Sequence, residues 1–215
     1  IFEFESSDIK ILEKGNIVKA FNGVKALSDN GIYSESESSV YDKKNNILTL
    51  YGNVLINDPI NKIQTESDEA TYFRNEERMK LSGNVLINDS INKVQTESDE
   101  AEYFRNEKIM KLLGNVLIND SIHKIQAESE EAIHFGNEEK VKLSGNVLIN
   151  DSINKVQTES DEAEYFRNEE RMKLSGNVLI NDSINKVQTE SDEAEYFRNE
   201  ERMKLSGNVL INDSI

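Results

Sequence analysis

Residues 79–107 read MKLSGNVLINDSINKVQTESDEAEYFRNE, and the spacing of their apolar side chains decides the fold. Met79, Leu81, Gly83, Val85 and Ile87 share one parity. Lys80, Ser82, Asn84 and Asn88 take the other, with Leu86 as the single apolar exception. A period of two is the pattern of a strand with one buried face. Gly83, in the middle of that run, predicts a bulge or bend in the ladder. Asn88-Asp89-Ser90 is turn chemistry. Val94, Thr96 and Ser98 then share a parity while Ala101 and Tyr103 take the opposite one, so a corner is expected near Ser98-Asp99. Arg105-Asn106-Glu107 closes the stretch with a second turn. Residues 98–107 are also rich in helix formers, but Ala101, Tyr103 and Phe104 do not make the three-and-four stripe of a buried helix. The reading is two strands and two turns.

The stretch recurs along the chain. Gly-Asn-Val-Leu-Ile-Asn-Asp begins at Gly52, Gly83, Gly114, Gly145, Gly176 and Gly207, 31 residues apart at every step. Pro59 stands where Ser90 does, which fits a turn and would break a central strand. Gly15-Asn16-Ile17 reads as an older, longer copy, its surplus falling around Asn22-Gly23 and Asp29-Asn30-Gly31. Phe4, 11 residues before Gly15 as Tyr72 is before Gly83, marks half a copy ahead of it. The expectation is one array over 1–215 with no linker and no second domain. It runs as a partial repeat at 1–14, a divergent repeat at 15–51, full repeats at 52–82, 83–113, 114–144, 145–175 and 176–206, and a partial repeat at 207–215. One copy offers eight apolar residues to an interior: Val85, Ile87, Ile91, Val94, Ala101, Tyr103, Met110 and Leu112. That is too few to fold a unit alone, so neighbours must cover one another and pair strand edges. The fold class is all-β, an elongated antiparallel stack.

Composition narrows the chemistry. In 215 residues there are no cysteines, two histidines, and 25 Lys+Arg against 41 Asp+Glu, a net charge of −16. Disulfides, thiol nucleophiles and Cys-rich zinc sites are excluded. Nucleic-acid backbones call for clustered cations that this chain lacks. No run reaches the ~18 apolar residues of a spanning helix, and no signal peptide is visible at the start. Opening at Ile1 and stopping at Ile215 in mid-pattern, the chain reads as a fragment.

No catalytic constellation emerges. His123 and His134 replace Asn and Tyr in the most divergent copy, which reads as drift rather than a ligand pair. Glu97-Ser98-Asp99-Glu100 recurs but lacks the Asp-x-Asp-x-Asp-Gly spacing of a calcium loop. A carboxylate pair for glycoside hydrolysis would be built once, whereas these acids repeat as scaffold does. The expectation is a non-enzyme without metal or cofactor. What repeats is a wall of apolar side chains: Val54, Ile56, Met79, Leu81, Val85, Ile87, Met110, Leu112, Val116, Ile118, Val147, Ile149, Met172, Leu174, Val178 and Ile180. Closed tightly, that wall is a core; closed loosely, it lines a groove suited to an acyl ligand.

The unit Gly83-Asn84-Val85-x-Ile87, Val94, Ser98-Asp99-x-Ala101-x-Tyr103, Met110-x-Leu112 resembles the OstA-type repeat of the periplasmic lipopolysaccharide-transport proteins. That family includes stand-alone LptA-type bridges and the N-terminal domains of LptD-type assembly proteins. The pattern is matched at Gly52/Ser67/Asp68/Tyr72, Gly145/Ser160/Asp161/Tyr165 and Gly176/Ser191/Asp192/Tyr196. It is weaker at Gly15/Ser36/Glu37/Tyr41 and Gly114/Ser129/Glu130/His134. The resemblance implies an open-ended twisted β-jellyroll in the periplasm of a Gram-negative bacterium, not itself spanning the membrane. It also implies lipopolysaccharide as the partner, its lipid A acyl chains inside, and edge-to-edge strand pairing with other such modules. The chain departs from the family in carrying Ser where Ala usually precedes the Asp, and in its run of near-identical copies. The alternative is a structural or adhesive surface repeat with a closed core.

Overall fold

The computed structural model describes residues 2–29 and 31–213. Among these, every long element is a strand, and the helical alternative for residues 98–107 gives way to strand followed by turn. The chain divides into two compact units, Ile1–Glu107 and Lys108–Ile215. The first holds β1 (Phe2–Leu12), β2 (Ile17–Ser28), β3 (Tyr33–Asp42), β4 (Ile47–Asp58), β5 (Ile63–Phe73), β6 (Arg78–Asp89) and β7 (Val94–Phe104), each antiparallel to the next. The second holds β8 (Ile109–Asp120), β9 (Ile125–Phe135), β10 (Lys140–Asp151), β11 (Val156–Phe166), β12 (Arg171–Asp182) and β13 (Val187–Phe197), in the same consecutive order. The far edge of β13 pairs with β14 (Arg202–Ser206) and β15 (Leu210–Asp213).

Every second long strand, from β2 to β12, has a glycine with positive φ near its middle, and the register with its neighbour slips there. In β6, Gly83 and Asn84 both adopt left-handed backbone (φ 76° and 49°), and the register with β7 slips between Ser82 and Val85. Asparagine is one of the few side chains that tolerates this region. Leu81 and Val85 remain on the inner face while β7 changes parity, so that both Ser98 and Ala101 point inward. The corner near Ser98-Asp99 is therefore real. In the oldest copy the bend sits elsewhere: Asn22 and Gly23 carry the positive φ angles and the slip falls between Phe21 and Val24. Gly15 instead belongs to the turn between β1 and β2. The reversed order, Asn before Gly, hides this equivalence in the sequence. Of the surplus Asp29-Asn30-Gly31, Asn30 lies outside the described residues.

The turns are built by aspartate. Asp89 Oδ1 accepts the backbone N–H of Ile91 and of Asn92, and Oδ2 accepts the Asn92 side-chain amide at 2.7 Å. Asp58, Asp151 and Asp182 repeat this arrangement. Holding the turn in this way pushes its isoleucine outward. Ile91, expected inside, is 61% exposed, as are its counterparts Ile60, Ile122, Ile153 and Ile184 to similar degrees.

Bent strands let each sheet fold over on itself. In the first unit Phe2, at one end of the strands, packs edge-on against Tyr41 and near Tyr72, which lie at the other end (centroids 5.1 and 6.3 Å). Arg74 reaches Asp29 across the same gap at 2.8 Å. In the second unit Arg167 bonds Asp120 and Arg198 bonds Asp151, joining turns from opposite strand ends. Within each unit the sheet is thus a β-jellyroll whose inner face is covered by its own second half.

Candidate ligand-binding interior

All sixteen wall residues fall on the inner face. Val54, Ile56, Leu81, Val85, Ile87, Leu112, Val116, Val147, Ile149, Met172, Leu174, Val178 and Ile180 are buried, while Met79, Met110 and Ile118 are half-buried. In the second unit one half of the roll contributes Val147, Ile149, Val178 and Ile180. The other half contributes Met172, set between Tyr165 and Tyr196, and Leu174, set between Ala163 and Ala194. Large side chains beside small ones allow the halves to interdigitate. They do so closely: Ile149 and Met172 are each 1% exposed. The interior is filled by side chains, so a ligand reaches it only by parting the two halves.

The polar framework around the wall explains the recurring motif. Asn84 donates its side-chain amide to Asp68 Oδ2 at 2.9 Å, tying the bend of β6 to the corner of β5. Asn53–Glu37, Asn146–Glu130, Asn177–Asp161 and Asn208–Asp192 repeat the bond. In each of these corners one carboxylate of the recurring acidic cluster is engaged by such an amide. Each corner serine closes its own bulge: Ser67, Ser98, Ser129, Ser160 and Ser191 donate their hydroxyls to the carbonyl two residues on, at 2.9–3.0 Å. This role accounts for Ser where the resembled family has Ala, and sequence spacing alone carried no sign of it.

The seam where the roll closes is charged. Arg198 is buried and forks onto Asp151, Nε to Oδ2 at 2.6 Å and Nη2 to Oδ1 at 3.2 Å; it also donates to Glu170 and to the carbonyl of His123. Burial by itself would raise the Asp151 carboxyl, but the guanidinium and the backbone N–H groups of Asn154 and Ile153 outweigh it and hold the group below the ordinary carboxylate value. Asp120 is held low in the same way by His123 and Arg167. His123 Nδ1 lies 2.8 Å from Asp120 Oδ2, the place taken by an asparagine amide in the other turns, so the drift reading of His123 has a structural basis. The first unit's counterparts, Arg74–Asp29 and Arg105–Glu77, are more open to solvent. Burial raises the Tyr196 phenol to about 12 and the Tyr165 phenol higher still.

Outside the roll, a depression of about 360 Å³ lies across β11 to β14. Glu162, Glu164, Lys173, Glu193, Glu195 and Lys204 line it together with Ala163, Leu174 and Ala194. No helix among the described residues is long and apolar enough to cross a membrane.

No protein-family model matches the sequence, and no curated protein does. Among solved structures the chain is similar to LptH of Pseudomonas aeruginosa, described as the LptA-homologous periplasmic component of the conserved lipopolysaccharide transport device. The identity is 9%, the TM-score is 0.33, and the match covers 74% of this chain and 99% of that one. The TCP10 domain of Danio rerio CPAP, solved with a STIL peptide, overlays at 14% identity and a TM-score of 0.14, covering 80% of this chain and 96% of that one. At these TM-scores neither overlay carries functional weight.

Proposed function

We propose that the chain is a lipid-carrying module of the lipopolysaccharide-transport kind, non-enzymatic, that holds acyl chains between the two halves of its rolled sheet. One observation carries this reading: the copies beginning at Gly52, Gly83, Gly114, Gly145 and Gly176 each turn the Val and Ile of their Gly-Asn-Val-Leu-Ile run toward the inner face of their own unit, with the residues of the OstA-like motif bending the strands around it. The proposed setting is the periplasm of a Gram-negative bacterium, with lipopolysaccharide as the partner. Docking to further jellyroll modules would use an edge strand such as β1, which among the described residues pairs only with β2. Acyl chains would be admitted by parting the Arg–Asp seam.

At a net charge of −16 the protein repels phosphorylated headgroups, so affinity has to come from acyl burial at about 0.8 kcal/mol per buried CH₂. Titration of the chain with lipopolysaccharides of graded acyl length tests this. Affinity should fall steeply with shorter chains and change little between low and high salt. Binding that ignores chain length and collapses with salt contradicts it. The closeness of the inner packing, with Ile149 and Met172 almost fully enclosed, favours a second reading as a structural repeat with a closed core. Absence of binding at every chain length would select that reading.

A further inference from the structure

The apolar inner face carries hydroxyls that have nothing to bond. Thr158 (2% exposed), Thr189 (6%) and Thr65 (9%) point into the roll, and none of their Oγ1 atoms has a hydrogen-bond partner. Each is flanked by isoleucines: Thr158 stands opposite Ile149 and Ile180, Thr189 opposite Ile180 and Ile211, and Thr65 opposite Ile56 and Ile87. A buried hydroxyl without a partner destabilises the fold. Valine has nearly the same shape, favours strands equally and already fills the inner face at Val85, Val147 and Val178. Threonine at these positions therefore lowers stability without improving the packing.

Tyr165 is a different case. Its hydroxyl is also unpartnered, but it sits at the seam beside His123, the position at which Tyr196, one copy on, has the side-chain amide of Asn154. A local substitution explains it. The threonines recur in both units on the same register position, and no neighbouring change accounts for them.

We propose that this threonine row is a specificity element of the acyl-binding interior, selecting chains that carry an in-chain hydroxyl or carbonyl over plain alkyl chains. A hydroxyl both donates and accepts, so it complements either group. Neighbouring rows lie two strands apart, roughly 10 Å along the roll, so an extended chain parting the halves would meet Thr158 and then Thr189. The inference rests on the lipid-carrying reading and adds to it the chemistry of the chain.

The test is displacement of a fluorescent fatty acid from the full chain by tetradecanoate and by 3-hydroxytetradecanoate. Burying an extra hydroxyl in an apolar interior without a partner weakens binding, so preference for the hydroxylated chain is diagnostic. The expected result is about fivefold tighter binding of the hydroxylated chain per hydroxyl engaged. In the T65V/T158V/T189V variant the preference should disappear while thermal stability holds or rises, and T65S/T158S/T189S should keep it. Equal affinity of the two chains for the native protein overturns the inference alone. So does a preference that survives in T65V/T158V/T189V. Failure of the native protein to bind either chain overturns the inference together with the lipid-carrying reading beneath it.

Discussion

Asn177 donates its side-chain amide to Asp161 at 2.9 Å, from the bend of one strand to the corner of the strand before it. The two residues stand 16 positions apart, and that spacing recurs in the bonded pairs Asn53–Glu37, Asn84–Asp68, Asn146–Glu130 and Asn208–Asp192. The Gly-Asn and Ser-Asp dipeptides, which read as separate motifs in the sequence, are the two sides of one joint.

The glycine of that joint has no room for a side chain. A Cβ on Gly176 would lie 2.3 Å from Asp161 Oδ2 and 2.9 Å from its Cβ, at a φ of +78°. Gly176→Ala should therefore cost on the order of 1–3 kcal/mol, read as a lower urea midpoint. An unchanged midpoint would mean that the joint yields freely.

Corner serines contribute less. Ser160 donates to the Glu162 carbonyl at 2.9 Å, and Ser160→Ala should lower stability by about 1 kcal/mol, since that carbonyl loses its partner. Thermal unfolding of the variant checks this, and a variant as stable as the native chain would remove the hydroxyl's structural role.

The seam predicts a pH dependence. Asp151 and Asp120 titrate below the ordinary value near 3.8, so the unfolded chain binds protons first as the medium is acidified. Their contribution is present in full above that value and is lost as pH falls through the lower folded values. Asp151→Asn should lower stability near neutral pH by about 3 kcal/mol, because the buried Arg198 loses its forked partner and keeps only Glu170 at 3.2 Å, and it should flatten the acid limb of the stability profile. A variant whose profile parallels the native one would assign acid sensitivity elsewhere.

Stability should grow with copy number. A peptide spanning 145–175 leaves its inner face uncovered and its strand edges unpaired, so its circular dichroism should show no β spectrum. Cooperative folding of that single copy would contradict the dependence of each copy on its neighbours.

The period of two, the turns and the mid-strand bend were legible because each is a local consequence of residue type. The wall was legible for the same reason: parity alone puts Val147, Ile149, Val178 and Ile180 on one face. What escaped the sequence is non-local. Arg198 and Asp151 are 47 positions apart and meet only because the sheet folds over, and nothing in either turn announces the partner. Ile91 read as core because an apolar residue beside a strand usually is; the Asp89 clamp on the turn backbone turns it outward instead. Gly15 reads as the start of a copy because its Gly-Asn order matches the later ones, while the bend of that copy lies at Asn22-Gly23, where the order is reversed. The threonine hydroxyls read as ordinary strand residues, since lack of a partner is visible only once the neighbours are placed.

Photo-crosslinking tests the central claim most directly. A photoreactive residue at Ile149, on the inner face, should label added lipopolysaccharide, while the same residue at Lys155, on an exposed turn, should not. Equal labelling at both positions, or none at Ile149 with lipopolysaccharide in excess, would contradict an acyl-binding interior.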